Sequence, residues 1–204
     1  MDQFARFISW FFQPLFMHVY AAFIFIGMPY YAFEIMPPGL KIYLILSNAL
    51  FTAIIPAIII LLMRRLKIID SIYLSDKKER TFPIVMTFIF QGVNLYYLLD
   101  LYPRIPGVFF AFLAGAMVSL FIALVINFRW KISLHMIGIG GVCGSILFCG
   151  FLWRIDMSLI LALAFIIAGM IGTSRLKLNA HNPAQIGIGF LAGFIPQVFL
   201  LLLR

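Results

Sequence analysis

Three histidines occur in the chain, His18, His135 and His181, and the last two stand where an imidazole could act on a phosphate. His135 closes the run Trp130-Lys131-Ile132-Ser133-Leu134-His135, and His181 closes Ser174-Arg175-Leu176-Lys177-Leu178-Asn179-Ala180-His181. Cleaving a phosphomonoester takes a nucleophile in line with the leaving oxygen and an acid to protonate that oxygen, two tasks that a pair of imidazoles can divide. The anion itself needs cationic donors from several directions, and Arg80 and Arg175 offer the planar fork that suits its oxygens. Backbone N–H groups at the starts of the helices that follow His135 and His181 would add positive dipole ends. A lone His near a helix start is usually a polar residue with a local partner. Two of them, each with a hydroxyl or a base nearby in sequence, make the chemical reading worth testing.

The elements that would carry these residues are set by composition. Of 204 residues 64% are hydrophobic and 11% charged, and the mean hydropathy is +1.10, which excludes an ordinary water-soluble globule. At about 20 residues per span, the length allows six or seven transmembrane helices and no separate soluble domain. Apolar runs bounded by charges or prolines predict spans over 14–36, 40–63, 83–99, 106–128, 135–153, 157–173 and 184–203. Residues 1–13 mix aromatic bulk with Asp2, Gln3 and Arg6 ahead of Pro14, and read either as a short interfacial helix or as an extension of the first span. No small-residue cleavage pattern precedes Pro14, so the first span is expected to be retained. The long polar connector, 64–82, holds nine of the 22 formally charged residues, all between Arg64 and Arg80. Cys143 and Cys149 lie in one apolar run and read as small hydrophobes, with neither disulfide nor metal implied.

Seven spans put alternate connectors on opposite faces. The N-terminus and the connectors after spans two, four and six share one face, which carries Arg6, Arg64, Arg65, Lys67, Lys77, Lys78, Arg80, Arg129, Lys131, Arg175 and Lys177, against Lys41, Arg104, Arg154 and Arg204 on the other. The net charge of +8 is thereby read as topology, with the basic face cytoplasmic, and not as nucleic-acid binding.

On these residues the chain resembles the type 2 phosphatidic acid phosphatase superfamily. Ser174-Arg175 through His181 matches its S-R-x5-H, and His181-x-Pro183-x-Gln185-x3-Gly189-x3-Gly193 follows its H-x-P-x-D-x3-G-x3-G, with Gln185 where the family has Asp. Ile132-Ser133-Leu134-His135 keeps the Ser and His of P-S-G-H. The K-x6-R-P element is represented by Arg80-Thr81-Phe82-Pro83, with Tyr73 at the Lys position and Lys77 or Lys78 as substitute cations. The elements come in the family's order with two spans between successive ones, so all three reach one face.

The resemblance implies His181 as nucleophile, His135 as acid, Gln185 as partner of the nucleophile's ring, and Arg175, Arg80, Ser133 and Lys78 as the phosphate cradle. It further implies a single transmembrane domain over 1–204 with a phosphatase-like core, in a bacterial inner membrane, acting on a phosphorylated lipid without cofactor or metal. The family's habit is to work on the extracytoplasmic face, against the charge count. Two rivals stand beside this reading. One is a catalytically weak or inactive relative that binds phospholipid or serves as a subunit of a membrane complex with protein partners. The other is a small transporter using His18 and Glu34. Elsewhere, Gly138, Gly140, Gly141 and Gly144, and Gly189 with Gly193, predict close helix packing, and Gln91 with Asn94 predicts a hydrogen bond across the bundle.

Overall fold

A computed structural model describes residues 2–71 and 77–202, with side chains over 3–71 and 79–199. Among the described residues the chain is all helical, without strands. The ten α-helices are α1 (Asp2–Phe11), α2 (Met17–Gly27), the single turn α3 (Tyr31–Glu34), α4 (Pro38–Asn48), α5 (Ile55–Arg65), α6 (Lys77–Leu99), α7 (Gly107–Arg129), α8 (Leu134–Trp153), α9 (Ser158–Lys177) and α10 (Pro183–Leu202). Among the described residues six helical runs are long and apolar enough to cross a membrane: Gln3–Gly27, Pro38–Arg65, Glu79–Leu99, Gly107–Arg129, Leu134–Trp153 and Ser158–Lys177. The described apolar part of α10, Pro183–Phe199, is shorter. Outward side chains such as Phe23, Phe121, Phe151 and Leu159 are more than half exposed, a surface that lipid solvates and water does not.

Two expectations about spans change, and one left open is resolved. The first ends at Gly27 instead of 36, because Met28 takes an extended conformation ahead of Pro29, which restricts the residue before it and lacks an N–H. The third begins earlier, so that α6 absorbs the last residues of the 64–82 connector; Pro83 lies inside it, and Thr87 Oγ donates to the Pro83 carbonyl at 2.8 Å. The run Gln3–Gly27 is also interrupted, since Pro14 opens a 3-10 turn, Pro14–Phe16, that separates α1 from α2. Residues 2–11 are thus a helix of their own, packed against α9. Ala5, Ile8 and Ser9 face inward, while Phe4, Phe7 and Trp10 are exposed.

The tightest contact in the bundle joins α8 to α10. These helices run parallel, and glycine makes their approach possible from both sides. A Cβ at Gly144 would stand 2.6 Å from the Phe194 carbonyl oxygen, and one at Gly189 would stand 2.9 Å from that of Ser133. At Gly140 and Gly193 the collisions, with the carbonyls of Phe190 and Ile137, would be closer still. Backbone against backbone maximises dispersion where no hydrophobic drive exists between helices in lipid. Gly138 serves a different neighbour, Met17 of α2. Because the pair is parallel, its closeness holds the N-terminal ends of α8 and α10 side by side.

Polar residues inside the bundle pair locally or across helices. Asn94 Nδ2 donates to Asn48 Oδ1 at 3.4 Å, while Gln91 makes no hydrogen bond. Between α4 and α5 the chain forms a π-helical segment, Ala49–Ile54, in which Thr52 Oγ donates to the Asn48 carbonyl at 2.7 Å. Cys143 and Cys149 are free and buried.

Candidate active site

The connector from Arg175 to His181 is built by short-range chemistry. At the end of α9, Asn179 adopts φ 50°, the left-handed conformation that Asn tolerates better than other non-glycine residues. The Asn179 N–H then donates to the Leu176 carbonyl at 2.9 Å and the Ala180 N–H to that of Arg175 at 3.1 Å, the paired bonds of a Schellman stop. Two residues later α10 starts with a capping box. The Gln185 N–H donates to Asn182 Oδ1 at 2.9 Å, the Asn182 N–H donates to Gln185 Oε1 at 3.2 Å, and Pro183 stands at the first helical position, where its missing N–H costs nothing. His181 is caught between these two motifs. Asn179→Gly should therefore be tolerated and Asn179→Val should cost roughly 1–2 kcal/mol, read as the unfolding midpoints of the two purified variants; equal midpoints would contradict this account of the turn.

His181 is 8% exposed, and its Nδ1 lies 3.0 Å from Gln185 Oε1. That oxygen is an acceptor, so the ring carries its proton on Nδ1 and leaves the Nε2 lone pair free. Burial, reinforced by the charges of Arg80, Arg175 and Lys131, pushes the imidazole down to about 3, against the opposing effect of the Gln185 bond. The ring is neutral at physiological pH, the form a nucleophile needs. Since the unfolded ring titrates near 6.5, protons favour the unfolded state, and the neutral ring's contribution to stability is lost as pH falls from that value toward 3. Imidazole NMR signals of His181 should show no titration between about pH 8 and 4.5; a midpoint near 6.5 would contradict the buried setting.

His135 sits in the first turn of α8, and its Nε2–H donates to the Ser9 carbonyl of α1 at 3.0 Å. Ser9 lies in the last turn of α1, where carbonyls lack helical partners, so the imidazole serves as a cap supplied from another helix. The two histidines thus hold opposite tautomers. Arg80 is 5% exposed, and its Nη1 donates to the Ile132 carbonyl at 3.2 Å, which ties the start of α6 to the residue before Ser133. His135 interacts electrostatically with Arg175, His181 and Arg80. Arg80, Ser133, His135, Arg175, His181 and Gln185 therefore meet at one end of the bundle, as the sequence requires for a joint site. The side chain of Lys78 lies outside the described residues.

Two members of this cluster escape sequence reasoning. Lys131 acts on His181 electrostatically, yet in the sequence it reads as one more charge on the basic face. Ser9 is 126 positions from His135, beyond any motif. His18 is not part of the cluster; it is half-buried, with its ring 6.0 Å from that of Phe112. Glu34 belongs to the turn α3, at the other end of α2. Two surface hollows, one beside Phe151 and Arg154 and one beside Met36 and Pro103, are formed by the connectors at the opposite end from the cluster. Among the described residues no group of three His, Cys, Asp or Glu side chains could hold a metal ion.

The hydrogen-bonding inventory of the cluster is one-sided. Ser133 is fully buried at the N-cap of α8, but its hydroxyl makes no capping bond, and Ser133 Oγ and Arg175 Nε have no partner. Glu79, the carboxylate next in sequence to Arg80, accepts the Asp70 N–H at 2.7 Å. What the cluster offers is donors and positive charge. Among the described residues these observations define an all-helical bundle with six helical runs long and apolar enough to cross a membrane and a cationic, histidine-bearing cluster at one end. Comparison with family models, with curated proteins and with solved structures finds no match to this chain.

Proposed function

We propose that the chain is an integral membrane lipid phosphatase or phosphotransferase, related to the type 2 phosphatidic acid phosphatases, that works through a phosphohistidine intermediate. The observation that carries this reading is the imbalance just described. Buried donors without partners, Ser133 Oγ and Arg175 Nε, stand with Arg80 beside the imidazoles of His135 and His181, and an orphaned buried donor calls for an acceptor. A phosphomonoester dianion has only acceptors to offer.

In the proposed reaction His181 Nε2 attacks phosphorus, the bond from phosphorus to the lipid oxygen breaks, and His135, its Nε2–H held by the Ser9 carbonyl, hands a proton carried on Nδ1 to that oxygen. Water then attacks the phosphohistidine while His135 takes the proton back, and inorganic phosphate leaves. An alcohol in place of water gives transfer instead of hydrolysis. Arg80, Arg175 and Ser133 bind the charge that builds on the phosphoryl oxygens. Gln185 fixes the tautomer of His181 but carries no charge to stabilise the ring once it is phosphorylated, so the intermediate should form slowly. A phosphate at the boundary with its chain among the helices fits a lipid better than a soluble ester. The excess of bases at this end favours a cytoplasmic site.

Gln185 also favours the rival, a relative that binds lipid phosphate without turning it over. Phosphate release from phosphatidic acid, phosphatidylglycerol phosphate, a prenyl pyrophosphate and a phosphorylated glycolipid, each presented in mixed micelles, separates the two. Release from at least one of them supports the enzyme; binding of all without release supports the rival.

A further inference from the structure

The buried hydroxyl side chains of this protein share a habit that is broken at one place. Ser47 donates to the Leu44 carbonyl, and Thr52, Thr87, Ser119, Ser145 and Ser174 each donate to the carbonyl four residues back, at 2.7 to 3.1 Å. Such back-bonding is the ordinary way a buried helical hydroxyl is satisfied. Ser9, 7% exposed, and Ser133 make no hydrogen bond through their hydroxyls, although both oxygens are shielded from solvent. Ser9 lies within α1 with the Ala5 carbonyl one turn behind it, so a back bond is open to it and is not made. The two exceptions adjoin the same imidazole: the Ser9 carbonyl holds His135 at 3.0 Å, and Ser133 lies two residues before it.

We propose that the Ser9 hydroxyl is a further donor to the oxyanion bound by Arg80, Arg175 and Ser133, and that α1 is a wall of the site. This inference rests on the phosphate-binding reading above. A hydroxyl can donate to an anion at little cost, whereas leaving it buried and unbonded costs free energy. Arg175 Nε on α9, against which α1 packs, and Ser133 Oγ lack an acceptor as Ser9 Oγ does, so an oxyanion is the ligand that satisfies the three at once. The outer face of α1, with Phe4, Phe7 and Trp10 exposed, suits lipid contact and leaves the Ser9 face turned inward. Ser9 belongs to a helix outside the segment that carries the three motifs, so the resemblance does not supply this role.

The test is the affinity of the detergent-solubilised full chain for inorganic phosphate, by titration calorimetry. Ser9→Ala removes one hydroxyl and introduces the best helix former, so it should fold. Loss of one hydrogen bond to a charged ligand should weaken binding about tenfold or more, while Ser119→Ala, which removes a back-bonded hydroxyl, should leave the affinity unchanged. Wild-type binding with equal affinity in Ser9→Ala would overturn the role of Ser9 and leave the anion site standing. No phosphate binding by the wild type would overturn the anion site itself.

Discussion

Replacing His181 with alanine is expected to lower phosphate release from the preferred lipid phosphate by at least about a thousandfold, since losing a nucleophile removes the covalent route and leaves only binding and charge stabilisation. The loss should fall on kcat, because Arg80, Arg175 and Ser133 still hold the anion. His135→Ala should cost about 10² to 10⁴, the usual worth of a positioned acid, with phosphate affinity retained. The reverse pattern, in which His181→Ala weakens binding but leaves turnover intact, would show that His181 is a ligand and no nucleophile. Position 181 is held from both sides, by the stop of α9 at Asn179 and the capping box of Asn182 and Gln185, so the alanine variant should keep the fold.

The second large effect is on stability. Gly193→Ala would drive a methyl group into the Ile137 carbonyl and within 2.8 Å of the Gly141 nitrogen. Neither is a side-chain end that can swing away, so α8 and α10 must separate along their length. Overpacking of this kind costs about 1–3 kcal/mol and more where backbone blocks relaxation; we expect the upper end or beyond. Gly169→Ala and Gly187→Ala, where nothing lies within 4 Å of the added carbon, should be neutral or stabilising by up to about 1 kcal/mol. Unfolding midpoints of the three variants in one detergent decide the matter, and equal midpoints would mean that the close approach contributes nothing. Gly193→Ala should also impair the site, since the α8–α10 contact sets Ser133 beside α10.

What could be read from the sequence follows the range of the interactions. Gln185 beside His181 was legible because a capping box spans four residues, and the step from Arg175 to His181 because a helix stop and a helix start lie between them. Convergence of Arg80, Ser133, His135 and His181 followed from the parity of the spans. Glycine spacing announced close packing at α8 and at α10, though not that the two helices would pack on each other or that Gly138 would serve α2. Long-range contacts were not legible. The Ser9 carbonyl reaches His135 across 126 positions, and the inward turn of Ser9 depends on how α1 lies on α9. Lys131 was hidden for another reason: in a basic connector, a base that steers topology and one that acts on an imidazole look alike. The early end of the first span and the early start of the third both turned on proline, whose effect depends on which carbonyl it deprives.

The central claim is a covalent bond from phosphorus to His181, and a rapid-quench experiment examines it directly. The purified full chain is mixed with lipid phosphate labelled in its phosphoryl group, stopped in alkali, and digested for mass spectrometry, conditions under which phosphohistidine survives and acyl phosphates do not. We expect label on the peptide containing His181, appearing within one turnover and absent from His181→Ala. Because Gln185 gives the phosphorylated ring no counter-charge, Gln185→Asp should raise the rate at which that label appears. Phosphate release without label on His181, or equal label in His181→Ala, would contradict the account.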